Sequence, residues 1–308
     1  MILVGGENLI DFIEGADGTF TANLGGGPFN IAKALARQGQ KVGYLTPVST
    51  DQMGARLAAD LKADGVKLLA PRSKAPTSLA LVSLENGQPS YQFYRQKTAE
   101  RRVTAPMLNR IIPKQPAGFQ LGSLALTSGK DADVWAQMYR ALHQRGVFTS
   151  LDPNIRPDFI KNRRKYMARL DWILPKTDLL KLSDEDLSWI DDKRTLEAAA
   201  RHLRAVHNIP LLVLTMGAAG AKAFTARGNF SVSAPKPEPF KDAVGAGDTF
   251  MGTLLAQLSE VGMLTRSALK AAHEPELRPI LAMAAKAAAM NCETSGCNPP
   301  FGADLNRP

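Results

Sequence analysis

The stretch Asp242-Ala243-Val244-Gly245-Ala246-Gly247-Asp248, continuing as Thr249-Phe250-Met251-Gly252-Thr253-Leu254-Leu255, sets a turn of small residues and a carboxylate at the head of an apolar helix. Glycines let backbone N–H groups crowd around an anion, and a helix N-terminus adds unpaired donors and the positive end of its dipole. Asp248 then stands beside the anion as a base. No Lys-Ser/Thr pair follows the glycines, as a Walker loop requires, and the proline-rich residues 234–239 before the turn make no strand for a dinucleotide fold. The competing reading is an ordinary turn in which Asp248 caps a helix.

Outward from this turn, short apolar runs at residues 1–4, 42–45, 148–151, 172–174 and 211–215 read as strands. They alternate with helical patterns at 30–38, 51–64, 134–145 and 195–206. Such alternation implies an α/β fold with a mostly parallel sheet covered by helices on both faces. Residues 78–84 and 90–95 flank Glu85-Asn86-Gly87-Gln88-Pro89 as a β-hairpin. The hairpin breaks the α/β rhythm, so it belongs outside the main sheet, as a flap or as a plain edge element. The last third is helical, at 249–258, 265–272 and 279–290, and ends in turn residues around Cys292 to Pro300.

Composition narrows the function. Among 308 residues, 44% are hydrophobic and 22% charged, which suits one large globular core. The net charge of +9 favours anionic ligands, but the basic residues are scattered, which argues against nucleic acid as a partner. The densest basic run, from Arg156 to Arg169, alternates with apolar residues as a solvated helix face does. Cys292 and Cys297 have no histidines at zinc spacing and read as reduced thiols. With no signal-peptide pattern at the start and no run of about twenty apolar residues, no membrane contact is expected and the compartment is the cytoplasm.

Other polar groups cluster where strands end. Asp11 follows the first strand, and open α/β sheets bind ligands at the carboxyl ends of their strands. Asn23-Leu24-Gly25-Gly26-Gly27-Pro28-Phe29-Asn30 leads into a helix, with Asn30 as a ligand group or a simple N-cap. Asp152 and Asn154 follow the strand at 148–151. Ser183-Asp184-Glu185-Asp186 either orders metal-bound water or enriches a helix's first turn, and the pattern favours the helix turn. Thr215-Met216-Gly217-Ala218-Ala219-Gly220 follows another strand, as a nucleotide-side turn or an ordinary one.

In this order, over essentially the whole chain, these segments resemble the ribokinase-like (PfkB) carbohydrate kinases, and among them the bacterial fructokinases. Asp242 to Asp248 is similar to the family's C-terminal signature and Gly25 to Asn30 to its sugar-binding signature. Asp152-Pro153-Asn154-Ile155-Arg156-Pro157, Lys181-Leu182-Ser183-Asp184-Glu185-Asp186 and Gly296-Cys297-Asn298-Pro299-Pro300 are fructokinase-like wording. Ser183 and Asp186 replace the Asn and Glu of the family's Asn-x-x-Glu motif.

The resemblance implies a three-layer α/β/α sandwich over 1–308, with a small β-stranded lid from about 9–22 and 72–103. It implies transfer of the ATP γ-phosphoryl group to a hydroxymethyl group of a small sugar, fructose first. Asp248 is then the base, with the amides of Gly245, Ala246 and Gly247 as the anion hole. Asp11, Gly26, Gly27, Asn30, Arg95, Asp152 and Asn154 are expected on the sugar. Lys181, Thr215, Gly217, Gly220, Gly245, Gly247 and Asn291 are expected on ATP. Mg2+ is reached through water from Asp186, and K+ sits near Asp242. Strand edges on the lid suit pairing into a homodimer. The alternatives are a kinase of the same family for 2-keto-3-deoxygluconate, ribose or a nucleoside, and a non-catalytic sugar- or nucleotide-binding protein.

Overall fold

The computed structural model describes residues 1–15, 17–85 and 88–305, and of residues 82–85 and 88–91 the backbone alone. The expected turn at Asn86-Gly87 and the side chain of Tyr91 lie outside the described residues.

Thirteen strands are described: β1 Ile2–Gly5, β2 Leu9–Glu14, β3 Phe20–Gly25, β4 Val42–Tyr44, β5 Lys67–Leu68, β6 Ser78–Glu85, β7 Gln88–Tyr94, β8 Gly118–Gly122, β9 Phe148–Asp152, β10 Leu179–Ser183, β11 Leu211–Thr215, β12 Ala221–Thr225 and β13 Gly228–Val232. Nine form the main sheet, in the order β13-β12-β11-β10-β9-β8-β1-β4-β5. It is parallel from β5 to β11, and β12 and β13 are added antiparallel.

Strand residues alternate between two cores. Ile2 and Val4 face one side with Leu211 and Val213, while Leu3 faces the other with Leu212 and Leu214. That is why these strands read as unbroken apolar runs: both faces are covered. The first core takes helices Gly27–Arg37, Gln52–Ala63, Ala246–Glu260 and Glu274–Asn291, and the second takes Lys130–Gln144, Arg163–Ile173 and Leu196–Val206. The result is an α/β/α sandwich. Among the described residues no helix is long and apolar enough to cross a membrane.

The second sheet, β3-β2-β6-β7, stands apart as the lid. Only β2 and β6 run parallel within it. Its first segment extends beyond residue 22, because β3 pairs with β2 up to Gly25. At its base Phe93 packs edge-on against Phe159, with ring centroids 4.1 Å apart, over Leu9, Ala80 and Leu124.

One strand is misplaced by the sequence pattern. Residues 172–174 close the helix Arg163–Ile173 and pass into a 3-10 turn, and the strand follows at Leu179–Ser183. Arg163, Arg164 and Lys165 of that helix are exposed, with Tyr166 and Leu170 buried beneath them.

Candidate active site

The chain begins in mid-sheet, with β1 leading to β4 and β5 on one side and β8 to β11 on the other. A crevice opens where the strand order reverses, outside the carboxyl ends. Glu7 after β1, Ser123 after β8, Asp152 at the end of β9, Ser183 at the end of β10 and Thr215 at the end of β11 are all delivered to that edge.

Asp248 is the third residue of helix Ala246–Glu260, in its first turn. Gly245 is the N-cap at φ 76°, and a Cβ there would run into the Cys297 sulfur, so a left-handed glycine is needed to seat the loop on the C-terminal turn. The Asp248 carboxylate caps nothing. It accepts a 2.8 Å hydrogen bond from Asn30 Nδ2 in the buried interior. Asn30 does not cap its helix either: Gly26 is the N-cap of Gly27–Arg37, and Asn30 lies one turn in. Burial raises the Asp248 carboxyl above its ordinary value, while Asn30, Lys181 and Arg156 pull it back. A carboxylate raised in this way is a stronger base than one in water.

Gly27 runs beside this carboxylate. A Cβ on it would stand 3.2 Å from Asp248 Oδ1 and 3.1 Å from Asn154 Nδ2. Asp152 is 1% exposed and pairs with Lys181 Nζ at 3.1 Å, leaving its Oδ1 without a partner. Burial lifts Asp152 to about 6 against the pull of Lys181, and Asp186 and Asp248 add to the rise. Burial works against the Lys181 charge, but Asp152, Asp186 and Asp248 together hold its ammonium above the usual lysine value. Lys181 Nζ lies 3.0 Å from where a Cβ on Gly247 would be, so the ammonium abuts the anion turn. Asp11, on lid strand β2, is pushed to about 6 by burial and by Asp248, and Arg156 opposes the rise.

A cavity of about 290 Å³ opens on the other side of the turn. Thr215, Gly217, Gly220, Ala246 and Gly247 line it, with Phe240, Phe250 and three alanines of helix Glu274–Asn291, Ala285, Ala288 and Ala289. Its size and apolar walls are those of a pocket for a planar ring system, and it ends at Gly247 on the side of Asp248.

Two expected contacts, Arg95 and Asn291, are turned to other partners. Arg95 is buried at the foot of the lid, bidentate to Glu100 at 3.0 and 3.1 Å and within 3.5 Å of the Leu124 carbonyl. It supports the lid from behind. Asn291 does not line the nucleotide cavity: its Oδ1 accepts from Thr249 and from Asn298 N, and its Nδ2 donates to the Val244 carbonyl. It is a strut for the 242–248 turn. Asp186 closes a capping box with Ser183 and also accepts from Ile155 N at 2.6 Å, so both of its oxygens already hold backbone. Asp242 accepts from Val244 N at 2.8 Å and Gly296 N at 2.9 Å, tying the turn to the tail. Cys292 and Cys297 are free thiols, and burial pushes the Cys297 thiol upward.

The pattern of residues did not single out Glu7, Ser123 or Arg156 as site groups. Arg156 lies at the edge of the basic run, yet its charge acts on both Asp11 and Asp248. Its place four residues after β9 was the available signal.

Known proteins share this arrangement. The pfkB family carbohydrate kinase profile matches residues 1–303. A fructokinase of Rhizobium leguminosarum bv. trifolii is 36% identical over 290 residues, covering 90% of this chain and 86% of that one. The crystal structure of Xylella fastidiosa fructokinase with bound ATP superimposes with a TM-score of 0.87 at 26% identity, over 99% of this chain and 97% of that one. A Vibrio cholerae fructokinase double mutant with fructose, ADP and potassium ion bound has the same fold, with a TM-score of 0.85 at 23% identity over 99% and 96% of the two chains. With the family profile matched over residues 1–303 and a relative 36% identical across 90% of this chain, the chain belongs to the pfkB family of carbohydrate kinases.

Proposed function

We propose that the protein is an ATP-dependent fructokinase. The observation that carries this reading is the buried Asp248, held by Asn30 on the sugar side and set in the first turn of the helix that faces the nucleotide cavity. Asp248 takes the proton of the attacking hydroxymethyl group, while the N–H groups of the turn and of the helix's first residues receive the charge of the transferred phosphoryl. Lys181 adds a cation beside Gly247. Asp11, Gly26, Gly27, Asn30, Asp152 and Asn154 surround the acceptor, and the unpartnered Asp152 Oδ1 suits a sugar hydroxyl. The relatives named above are fructokinases, which favours fructose over ribose, 2-keto-3-deoxygluconate or a nucleoside.

Among the described residues no three His, Cys, Asp or Glu side chains converge on a metal position. The divalent ion in this proposal is magnesium, which would be carried by the nucleotide phosphates and water, with Asp186 reaching it only through water. When bound it neutralises charge on the β- and γ-phosphates. Potassium is proposed beside Asp242, where the turn meets the tail; an unchanged rate in sodium counts against it. The lid sheet, with Ile13, Phe20 and Tyr94 exposed, is the proposed homodimer face, which light scattering reads directly.

The test is ADP release from ATP and magnesium across fructose, ribose, 2-keto-3-deoxygluconate, glucose and adenosine, for wild type and Asp248→Asn. Fructose-dependent release that falls by about 10² to 10⁴ in the variant is expected. Release with another acceptor changes the substrate. Melting shifts with fructose but no ADP from any acceptor would leave a binding protein.

A further inference from the structure

Glu7 is an acid buried at the edge of the crevice, 1% exposed, and takes no part in the chemistry above. It follows β1, where the chain leaves the main sheet for lid strand β2. Its Oε1 accepts the Gly27 N–H at 3.1 Å, and its Oε2 has no hydrogen-bond partner. Gly26, at φ 112°, runs so close that a Cβ there would stand 2.7 Å from the Glu7 carbonyl.

Charged and titratable groups face Glu7 from each side. Arg95, just past β7, attracts it and is itself locked to Glu100, whose charge repels it. Ser123 faces it from the end of β8, and Tyr44 of β4 donates to its carbonyl at 3.0 Å. Its carboxylate thus holds the glycine segment that runs against Asp248, from the point where the chain passes into the lid and within the field of Arg95 at the lid's foot.

We propose that Glu7 is a positioning residue for the sugar, its charged carboxylate clamping the Gly26-Gly27 segment to the base of the lid so that loss of the charge loosens sugar binding. A hydrogen bond from Gly27 to an anion is stronger than one to a neutral carboxyl, and only the anion attracts Arg95. Burial, outweighing Arg95 and Ser123, raises the Glu7 carboxyl to about 7, which brings the change of state into the neutral range. Asp11 and Asp152, the other raised acids near the sugar, titrate lower, at about 6.

The inference rests on the sugar-kinase reading, so binding is measured alongside turnover. Fructose and ADP are titrated separately into wild type and Glu7→Gln by calorimetry from pH 8.5 to 6.5. Wild type is expected to lose about fivefold in fructose affinity across that range, the difference between a charge-assisted and a neutral hydrogen bond. Glu7→Gln is expected to bind fructose as weakly as acidified wild type at every pH, with ADP affinity unchanged. A variant that keeps the pH step, keeps wild-type affinity, or loses fructose and ADP alike overturns the proposal. Should the variant not fold, the wild-type profile decides: a step centred at about 7 supports the clamp and a flat profile overturns it. Phosphorylation of no sugar in the panel strikes the functional reading itself, whereas phosphorylation with an unshifted profile strikes this inference alone.

Discussion

Asn30→Ala tests how the base is tuned. The Asn30 amide donates to Asp248 Oδ2 at 2.8 Å in a buried site, and this bond favours the charged form of the carboxyl. A hydrogen bond to a charged group contributes about 1.5–3 kcal/mol, and each pKa unit corresponds to about 1.36 kcal/mol. Removing it should therefore raise the Asp248 pKa by about one to two units beyond its already elevated value. The sign follows from the base's role: Asp248 accepts a proton only when ionised, so the acid limb of kcat moves to higher pH by the same amount. On that limb the rate falls about 10- to 100-fold, and at alkaline pH it recovers. Asn30 is also a proposed sugar contact, so KM rises too. The assay is therefore ADP release at saturating sugar and ATP, measured against pH, where the position of the limb reports Asp248 and its height does not. A variant that melts like wild type but keeps its limb in place would refute the assignment of Asp248 as a base tuned by Asn30.

Two further outcomes follow from the buried pairs and the turn. Lys181→Met leaves Asp152 buried without its cation, which should cost about 3–5 kcal/mol at pH 8 by urea unfolding. Lys181 holds the folded Asp152 carboxyl down at about 6, so in the variant the group takes up its proton above 6, and the loss should shrink as pH falls towards 6 and vanish below it. Gly245→Ala forces a side chain into a left-handed conformation, costing about 1–2 kcal/mol. It also displaces Cys297, so activity should fall further than stability, as parallel melting and ADP-release measurements would show.

The parts of the site legible in sequence were those whose chemistry is local. A small-residue turn before an apolar helix announces itself, and so does an asparagine behind three glycines. The pairing of Asn30 with Asp248 joins residues 218 apart, and no periodicity reports such a contact. Arg95 was expected on the sugar because it ends a hairpin strand, but Glu100, five residues on, claims its guanidinium. Asn291 was expected near adenine, yet helix Glu274–Asn291 turns its amide inward to Val244, Thr249 and Asn298. Residues 172–174 read as a strand because Trp, Ile and Leu in a row have no period, and tertiary packing settled them as the end of a helix. Glu7 was invisible for the opposite reason. A glutamate between glycine and asparagine looks like a solvated turn, and only the crossing of β1, the glycine segment and the lid foot buries it.

The tail has a meaning for how the enzyme comes into being. Gly296 holds Asp242, Cys297 lies under Gly245, and Asn298 locks Asn291 against the turn. The 242–248 turn is thus finished by residues 54 positions further along, while the partner of Asp248, Asn30, lies 218 positions before it. A nascent chain cannot brace this turn until residues 296–298 have been made, so a chain cut before Gly296 would carry the turn without its struts.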